Sequence, residues 1–511
     1  MNQQDGRLAA NRADGMNMIR IQGGHVFRLT ATPKPHVLQL PQPTHVAACP
    51  RGFTIKPRLL VQVGDTVACG QPLFCDKSQP YMQWTAPGGG VVEEIRFGPR
   101  RVLEAVVIRL PPNAQDEQKV DFGSVLPAQL SSMSSQEVCK RLLQAGLWPL
   151  LQHLSPTQSY NVTAGDSSNQ QLQEIYVSAL AGEPHSPQPQ LVLHGQQQFF
   201  VLGLLALTRL CAKTYLFTAA HSQLDLAGLR LPETVQQRCI ENRYPAHHTG
   251  VQRYYTHGSL QGQASDRAAG INLDGVIRIG HLFATGHLYT ERLYAVGGDA
   301  APKAIHLRTR LGVKLEHITQ SLNHIAKQTT EALHHRQQQN SSATAPNPTA
   351  NNPPSQQPVQ QPYRLVAGGM LTGKQVQLGD YLGLADCSVQ MLPQGQQRPM
   401  LAFLRLGFDK LTASRAWASA LLPRELQHTD TSANGEERAC IQCGQCIKVC
   451  PVQLLPNLLL KASLLQDTQR MQELGIADCV DCGLCTFVCP SKIELGQHIE
   501  TGKQQIAKEE S

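Results

Sequence analysis

The sequence predicts a multidomain α+β chain with four folded parts in series. Three observations carry that prediction. Short alternating stretches punctuated by glycine open the chain, strand–helix–strand patterns fill its middle, and two dense cysteine runs flank a leucine-rich stretch near its end. At about 150 residues per domain, 511 residues allow three or four such parts. Hydrophobic residues make up 41% and charged residues 16%, which supplies several cores and excludes global disorder. The net charge of +7 is a mild excess over this length and is not the footprint of a nucleic-acid binder. No apolar run reaches the ~18 residues of a membrane-spanning helix. The longest, Phe199 to Leu207, stops at Thr208 and Arg209. The opening MNQQDGRLAANRADG is polar and lacks the apolar centre of a signal peptide. A soluble, cytoplasmic chain is expected, reaching a membrane only through partners.

Residues 18–112 read as all-β. Val61 to Leu73 (VQVGDTVACGQPL) alternates between Gly64 and Gly70 as half-buried short strands do, and Thr85 to Val92 (TAPGGGVV) is a second such stretch. The pair resembles the two halves of a biotinyl/lipoyl-like barrel-sandwich. Such carriers present a modified lysine on the following hairpin. Here the matching position is Tyr81, and the nearest lysine, Lys77, comes four residues early. The unit is therefore expected to be unmodified, with Lys77 a surface turn residue.

From 136 to 333, strand and helix patterns alternate. Glu174–Ala179 (EIYVSA) and Lys213–Thr218 (KTYLFT) are candidate strands separated by an apolar helix over about Gln196 to Cys211. That order implies a parallel, Rossmann-like sheet with right-handed crossovers. A nucleotide site there needs a glycine-rich turn at a helix N-terminus. Ala145 to Leu150 (AGLWPL) is the place to look, and it has one glycine and no G-x-G-x-x-G. Neither FMN nor NAD is supported by a motif. His247, His248 and His257 have a spacing that a metal accepts. No nearby cysteine or carboxylate completes a site, so a structural or solvated role is expected. Gly280 to Arg292 (GHLFATGHLYTER) reads as a tight turn between strands; contact with a quinone or flavin is the sharper alternative.

Residues 334–362 are rich in Gln, Asn, Ser and Pro and read as a disordered linker. Arg364 to Lys374 (RLVAGGMLTGK) then restarts a small β-rich, SLBB/β-grasp-like module over 363–410, ending near Arg405.

Cysteine usage is the sharpest signal. Of fifteen, seven are scattered (Cys49, Cys69, Cys75, Cys139, Cys211, Cys239 and Cys387) and eight fall between Cys440 and Cys489. An odd total, no export signal and one dense cluster argue against disulfides and for metal in a reducing compartment. Cys440, Cys443, Cys446 and Cys450 precede Pro451; Cys479, Cys482, Cys485 and Cys489 precede Pro490. Each run is C-x2-C-x2-C-x3-C-P, the spacing of two-cluster ferredoxins. Three closely spaced thiolates wrap one face of a cubane, and the fourth reaches the other cluster. Two [4Fe-4S] clusters are thus expected in a helical domain over 430–508. Cluster 1 takes Cys440, Cys443, Cys446 and Cys489; cluster 2 takes Cys479, Cys482, Cys485 and Cys450. Gly444 and Gly483 allow close backbone approach. Zinc is the plainer alternative, but four ligands suffice for one zinc ion, and two identical runs ending in Cys-Pro fit it poorly. Leu454 to Leu474 reads as one helix from about Asn457. From Glu436 to Ser511 acidic residues outnumber basic ones ten to seven, which either helps docking on a basic body or is only a solvated surface. No acid–base pair or nucleophile is called for, so no catalytic residue is assigned.

In this order the parts resemble the C subunit of the Rnf ferredoxin:NAD oxidoreductase and its relative, the A subunit of the sodium-translocating NADH:quinone oxidoreductase (Nqr). The wording is closer to the Nqr protein: TIKPRLLVQVGDTV and VLEAVVI near the start, GHLFATGHLYTERLYAVGG in the middle, LPNLLLKASL and CTFVCPSK at the end. The similarity spans about Met18 to Lys508, less the linker. It implies a peripheral subunit held on the inner face of the cell membrane by partner subunits, enzymatic only within their complex. It associates the chain with ubiquinone and assigns no residue to it. Two departures stand out. Nqr A subunits usually lack a complete cysteine set, whereas all eight are here. Rnf C subunits carry a glycine-rich flavin/NADH loop, which is not evident here. The expected function is electron transfer through two [4Fe-4S] clusters, with docking of membrane partners. One alternative is an Rnf C-like, NADH-oxidising FMN/iron–sulfur subunit. The other is a non-catalytic assembly scaffold; intact spacing in both runs speaks against it.

Overall fold

The computed structural model describes residues 12–13, 16–53, 55–154, 172–220, 222, 224–226, 228–259, 267–325, 362–395 and 436–509, with short pieces at 408, 418–421, 428–429 and 431. The expected linker, apart from Pro362, and the expected end of the β-rich module near Arg405 lie outside the described residues.

The first strands belong to distant sheets. β1 (Arg12–Ala13) and β2 (Met16–Ile19) edge the central sheet, and β3 (Val37–Gln39) edges another. The barrel-sandwich begins with β4 (His45–Ala48) and continues through β5 (Pro57–Leu59), β6 (Thr66–Val67), β7 (Pro72–Asp76), β8 (Gln83–Thr85), β9 (Gly90–Phe97) and β10 (Leu103–Arg109). Its two sheets run β4-β10-β9-β6 and β5-β7-β8. Alternate residues point inward, so Val46, Leu73, Trp84, Val92, Val106 and Ile108 close one core, with Phe74 and Trp84 stacked 5.5 Å apart. Lys77 is exposed on the β7–β8 hairpin. Tyr81 and Met82 on the same hairpin pack against the core of the next domain. The place where a carrier needs a free arm is pinned.

That next domain comprises α1 (Pro127–Ser132), α2 (Ser135–Gln144), β11 (Gln152–His153), β12 (Leu172–Ser178), α3 (Pro189–Leu193), α4 (Gln197–Leu210), β13 (Cys211–Ala219), β14 (Val235–Ile240), α5 (Thr249–His257), β15 (Ala268–Asn272) and α6 (Leu273–Thr285). Its sheet order is β1-β2-β14-β13-β12-β15-β11, and β2, β14, β13, β12 and β15 run parallel. Ile175, Tyr176 and Val177 are buried because helices or other chain cover both faces. The helix expected between the first two strands is α4. It crosses α6 at Gly203 and Gly280: a Cβ on Gly280 would lie 1.7 Å from the Phe199 carbonyl oxygen, and one on Gly203 2.0 Å from that of Val276.

The Gly280–Arg292 stretch therefore corrects the sequence reading. Gly280 sits inside a helix, and Gly286, at φ +74°, ends that helix before the next strand. The two glycines have different tasks, which their spacing does not distinguish. Ala145 and Gly146 likewise end α2. They stand at the carbonyl end of a helix, the wrong pole for a phosphate.

β16 (Glu291–Gly297), β17 (Ile305–Arg310), α7 (315–325), β18 (Tyr363–Ala367), β19 (Lys374–Val376) and β20 (Ser388–Pro393) follow. Their sheet is ordered β19-β18-β20-β16-β17-β3. Residues 291–310, expected to finish the α/β domain, instead occupy the middle of this sheet. Leu293 to Gly297 are all buried, so β16 needs a partner on both edges and takes β17 and β20. The β-rich module is thus not confined to 363–410.

The tail holds α8 (Gln445–Val449), α9 (Pro456–Leu464), α10 (Thr468–Glu473), α11 (Leu484–Phe487) and α12 (Leu495–Glu509). The single helix expected from Asn457 is two. Gln466 turns left-handed at φ +55°, and the Asp467 carboxylate accepts the Arg470 N–H at 2.9 Å to restart the helix. Leucine richness masks that cap in the sequence. Val452, Leu454, Leu459, Ile499 and Ile506 share one core with Tyr176, Tyr215, Phe217 and Val251, so the tail is packed onto the α/β domain.

Candidate metal centres

Both cysteine runs fold alike. A loop bearing the first two cysteines enters a short helix through Gly444 or Gly483, at φ +72° and +73°, and the third cysteine lies in that helix. An L-residue in that conformation is strained, and a Cβ on Gly483 would also come within 3.1 Å of the Leu371 carbonyl oxygen.

Cys440, Cys443 and Cys446 line a shallow opening together with Asn457, Pro490, Ile493 and Cys489. Cys489 is thus brought from the second run to the first. Cys450 goes the other way. Half-buried, it packs against the same core as Cys479 and Cys485 and accepts the Leu454 N–H at 3.3 Å. The Cys482 thiol is pushed well above its ordinary range, first by burial and further by Cys479, Cys485 and Cys450 nearby. Burial likewise pushes Cys479 and Cys485 up to about 12. Among the described residues no three or more His, Cys, Asp or Glu side chains gather where they could hold one metal ion. A cubane fills a volume, and its ligands surround that volume; the first opening and its four sulfurs fit that donor set.

The two runs differ in surroundings. Cys443 is exposed, whereas the second run faces the α/β domain. The Tyr244 hydroxyl donates to the Cys482 carbonyl at 2.6 Å. The Lys503 ammonium donates to the Cys479 carbonyl at 2.6 Å and to the Asp481 carboxylate at 2.7 Å. Gly23 passes so close to Cys450 that a Cβ would lie 2.6 Å from its carbonyl oxygen, and Gly24 donates to the Val449 carbonyl at 2.9 Å. His25, Phe27, Tyr244 and Phe487 form a ring cluster with centroids 4.6–5.7 Å apart. Sequence reasoning missed Gly23, Tyr244 and Lys503, because no local pattern ties them to cysteines elsewhere in the chain.

The histidines take structural positions. His248 accepts the Gly250 N–H at 3.2 Å as the cap of α5, and His257 stands 3.0 Å from Glu174. Burial pushes His247 down to about 3 and His248 to about 4. Both stay neutral in the folded chain, while the unfolded chain takes up protons near the ordinary value of 6.5. The contribution of this pair to stability is present above that value and is lost as pH falls through the window toward 4 and then 3. Urea midpoints across the window should show the slope, and the double variant His247→Gln, His248→Asn should flatten its upper part. An unchanged slope would place the titration elsewhere.

Comparison with known proteins agrees with this architecture. The family model of the NqrA N-terminal barrel-sandwich hybrid domain matches residues 19–111, that of the NqrA second alpha/beta domain residues 133–288, and that of a 4Fe-4S dicluster domain residues 431–493. The second match stops just before β16, where the chain leaves the parallel sheet. The A subunit of the Na(+)-translocating NADH-quinone reductase of Tolumonas auensis is 31% identical over 465 residues, covering 90% of this chain and 92% of its own. The same subunit from Pseudomonas aeruginosa is 31% identical over 462 residues, covering 90% and 92%. That from Vibrio anguillarum is 30% identical over 498 residues, covering 96% and 100%. At this identity and coverage, the chain belongs to the family of Na(+)-translocating NADH-quinone reductase A subunits, with a 4Fe-4S dicluster domain at its carboxyl end.

Proposed function

We propose that this chain is the electron-transfer and docking subunit of an ion-translocating, Nqr-type NADH:quinone oxidoreductase and holds two [4Fe-4S] clusters. Cys440, Cys443, Cys446 and Cys489 ligate cluster 1; Cys479, Cys482, Cys485 and Cys450 ligate cluster 2. The exchange of fourth cysteines carries this reading: Cys489 lines the opening framed by the first run, and Cys450 lies with the second. Bound there, the clusters supply one-electron redox chemistry. The chain's own residues provide thiolates, half-bury the second run against the α/β domain and orient its loop through Tyr244 and Lys503. The exposed side at Cys443 offers an approach for a partner, and the second run offers one toward the α/β domain.

The relatives' names support sodium as the coupling ion and a quinone as the acceptor of the whole complex; ubiquinone as that quinone is part of the proposal. No helix among the described residues is long and apolar enough to cross a membrane. Attachment at the inner face through membrane-embedded partner subunits is part of the proposal. Anaerobic purification of the full chain should yield about eight irons per chain, the content of two cubanes, with broad visible absorption that bleaches on dithionite reduction. Zinc at these cysteines, or no metal at all, would overturn it. Solubilised membranes should release the chain together with hydrophobic subunits; recovery of the chain alone would count against the docking role.

A further inference from the structure

We propose that Lys503 is a positioning residue that raises the reduction potential of the second-run cluster and so sets it apart from the first. This rests on the two-cluster reading above. Lys503 lies on α12, and its side chain is only 16% exposed. Its ammonium is held by the Cys479 carbonyl at 2.6 Å and Asp481 at 2.7 Å, one peptide unit from a ligating sulfur. Reduction places one more negative charge on the cluster, with no proton required. A fixed cation in poorly solvated surroundings stabilises that charge more than water-screened ions do.

The opposing charges are weaker or already occupied. The Asp481 carboxylate lies 3.6 Å from the Cys479 sulfur, but its side chain is 56% exposed and hence screened. Glu500, on the same helix, is exposed. Asp478 is buried near Cys450 and accepts the Ser259 hydroxyl, which spreads part of its charge. His248, also facing Lys503, is neutral because burial depresses it. Among the described residues the first run has no matching arrangement: Arg438, Lys448 and Lys492 beside it are exposed, as is Cys443 itself. The second cluster is therefore the one whose potential depends on a single half-buried ammonium.

Redox-poised EPR of the anaerobic full-length chain tests this, with the signal lost in Cys450→Ser marking the second-run cluster. Lys503→Gln should lower the reduced-to-oxidised ratio of that cluster about tenfold at fixed poise, a shift of about 59 mV for one electron. Lys503→Arg should restore most of it. Asp481→Asn, which removes the counter-charge, should shift the ratio the opposite way. The first-run cluster should hold its potential in all three. An unmoved second-run potential, or shifts of the same sign in Lys503→Gln and Asp481→Asn, would overturn the assignment and indicate only loop disorder. Iron and sulfide analysis of the same samples separates the cases: a wild-type chain without two clusters defeats the parent reading, whereas full iron with unmoved potentials defeats only the role of Lys503.

Discussion

Cys450→Ser should strip the cluster built on the second cysteine run and leave the first, although Cys450 belongs to the first run in sequence. It packs against the same core as Cys479 and Cys485, and it is missing from the opening that Cys440, Cys443, Cys446 and Cys489 line. Iron should fall from about eight to about four per chain, and one of two EPR signals should vanish. Cys489→Ser should remove the other. The backbone at Cys450 is held independently of its thiol, by Gly24 donating to the Val449 carbonyl at 2.9 Å and by Gly23 packed on the Cys450 carbonyl. The melting temperature should therefore change little beyond the loss of metal. If the first-run signal disappears instead, the crossing is wrong.

Asp274→Ala should produce the largest loss of stability outside the tail. Asp274 opens α6 and accepts from Arg278 Nε at 2.8 Å and Arg292 Nε at 3.0 Å, side chains only 2% and 3% exposed. Burial pushes the Asp274 carboxyl up, but the two guanidiniums outweigh it and hold it well below the usual carboxylate range. Arg278 also donates to the Tyr289 and Glu291 carbonyls, and Arg292 to those of Leu384 and Asp386. Asp274 thus neutralises the two cations that join α6 to β16 and the turn before β20. Removing it leaves both buried and unpaired, at a cost of about 3–5 kcal/mol. Urea unfolding followed by far-ultraviolet circular dichroism should show this in the transition of the body. A loss below about 1 kcal/mol would mean that water replaces the carboxylate. Asp274→Asn keeps an acceptor but not the charge and should fall in between.

Local chemistry was legible in the sequence. The C-x2-C-x2-C-x3-C-P runs, the alternation around Val61 to Leu73 and the apolar stretch between two β-rich segments each encode a structure that closes within a few dozen residues. Readings failed where a distant partner decides. Gly280 looks like a turn until α4 presents Gly203 to it, and 291–297 reads as part of the α/β domain until β20, nearly a hundred residues on, pairs with it. The stop at Leu464 was readable in principle from the Asp467 cap, but the surrounding leucines outweighed it. Tyr244 and Lys503 acquire meaning only once the tail is folded onto the body.

Segment 23–24 and Tyr244 grip the tail at Val449, Cys450 and Cys482. The redox-bearing end is therefore clamped cargo and not a tethered shuttle. On the two-cluster reading proposed above, a neighbour resting against the exposed rim at Cys443 would meet the first run at a separation fixed by this packing.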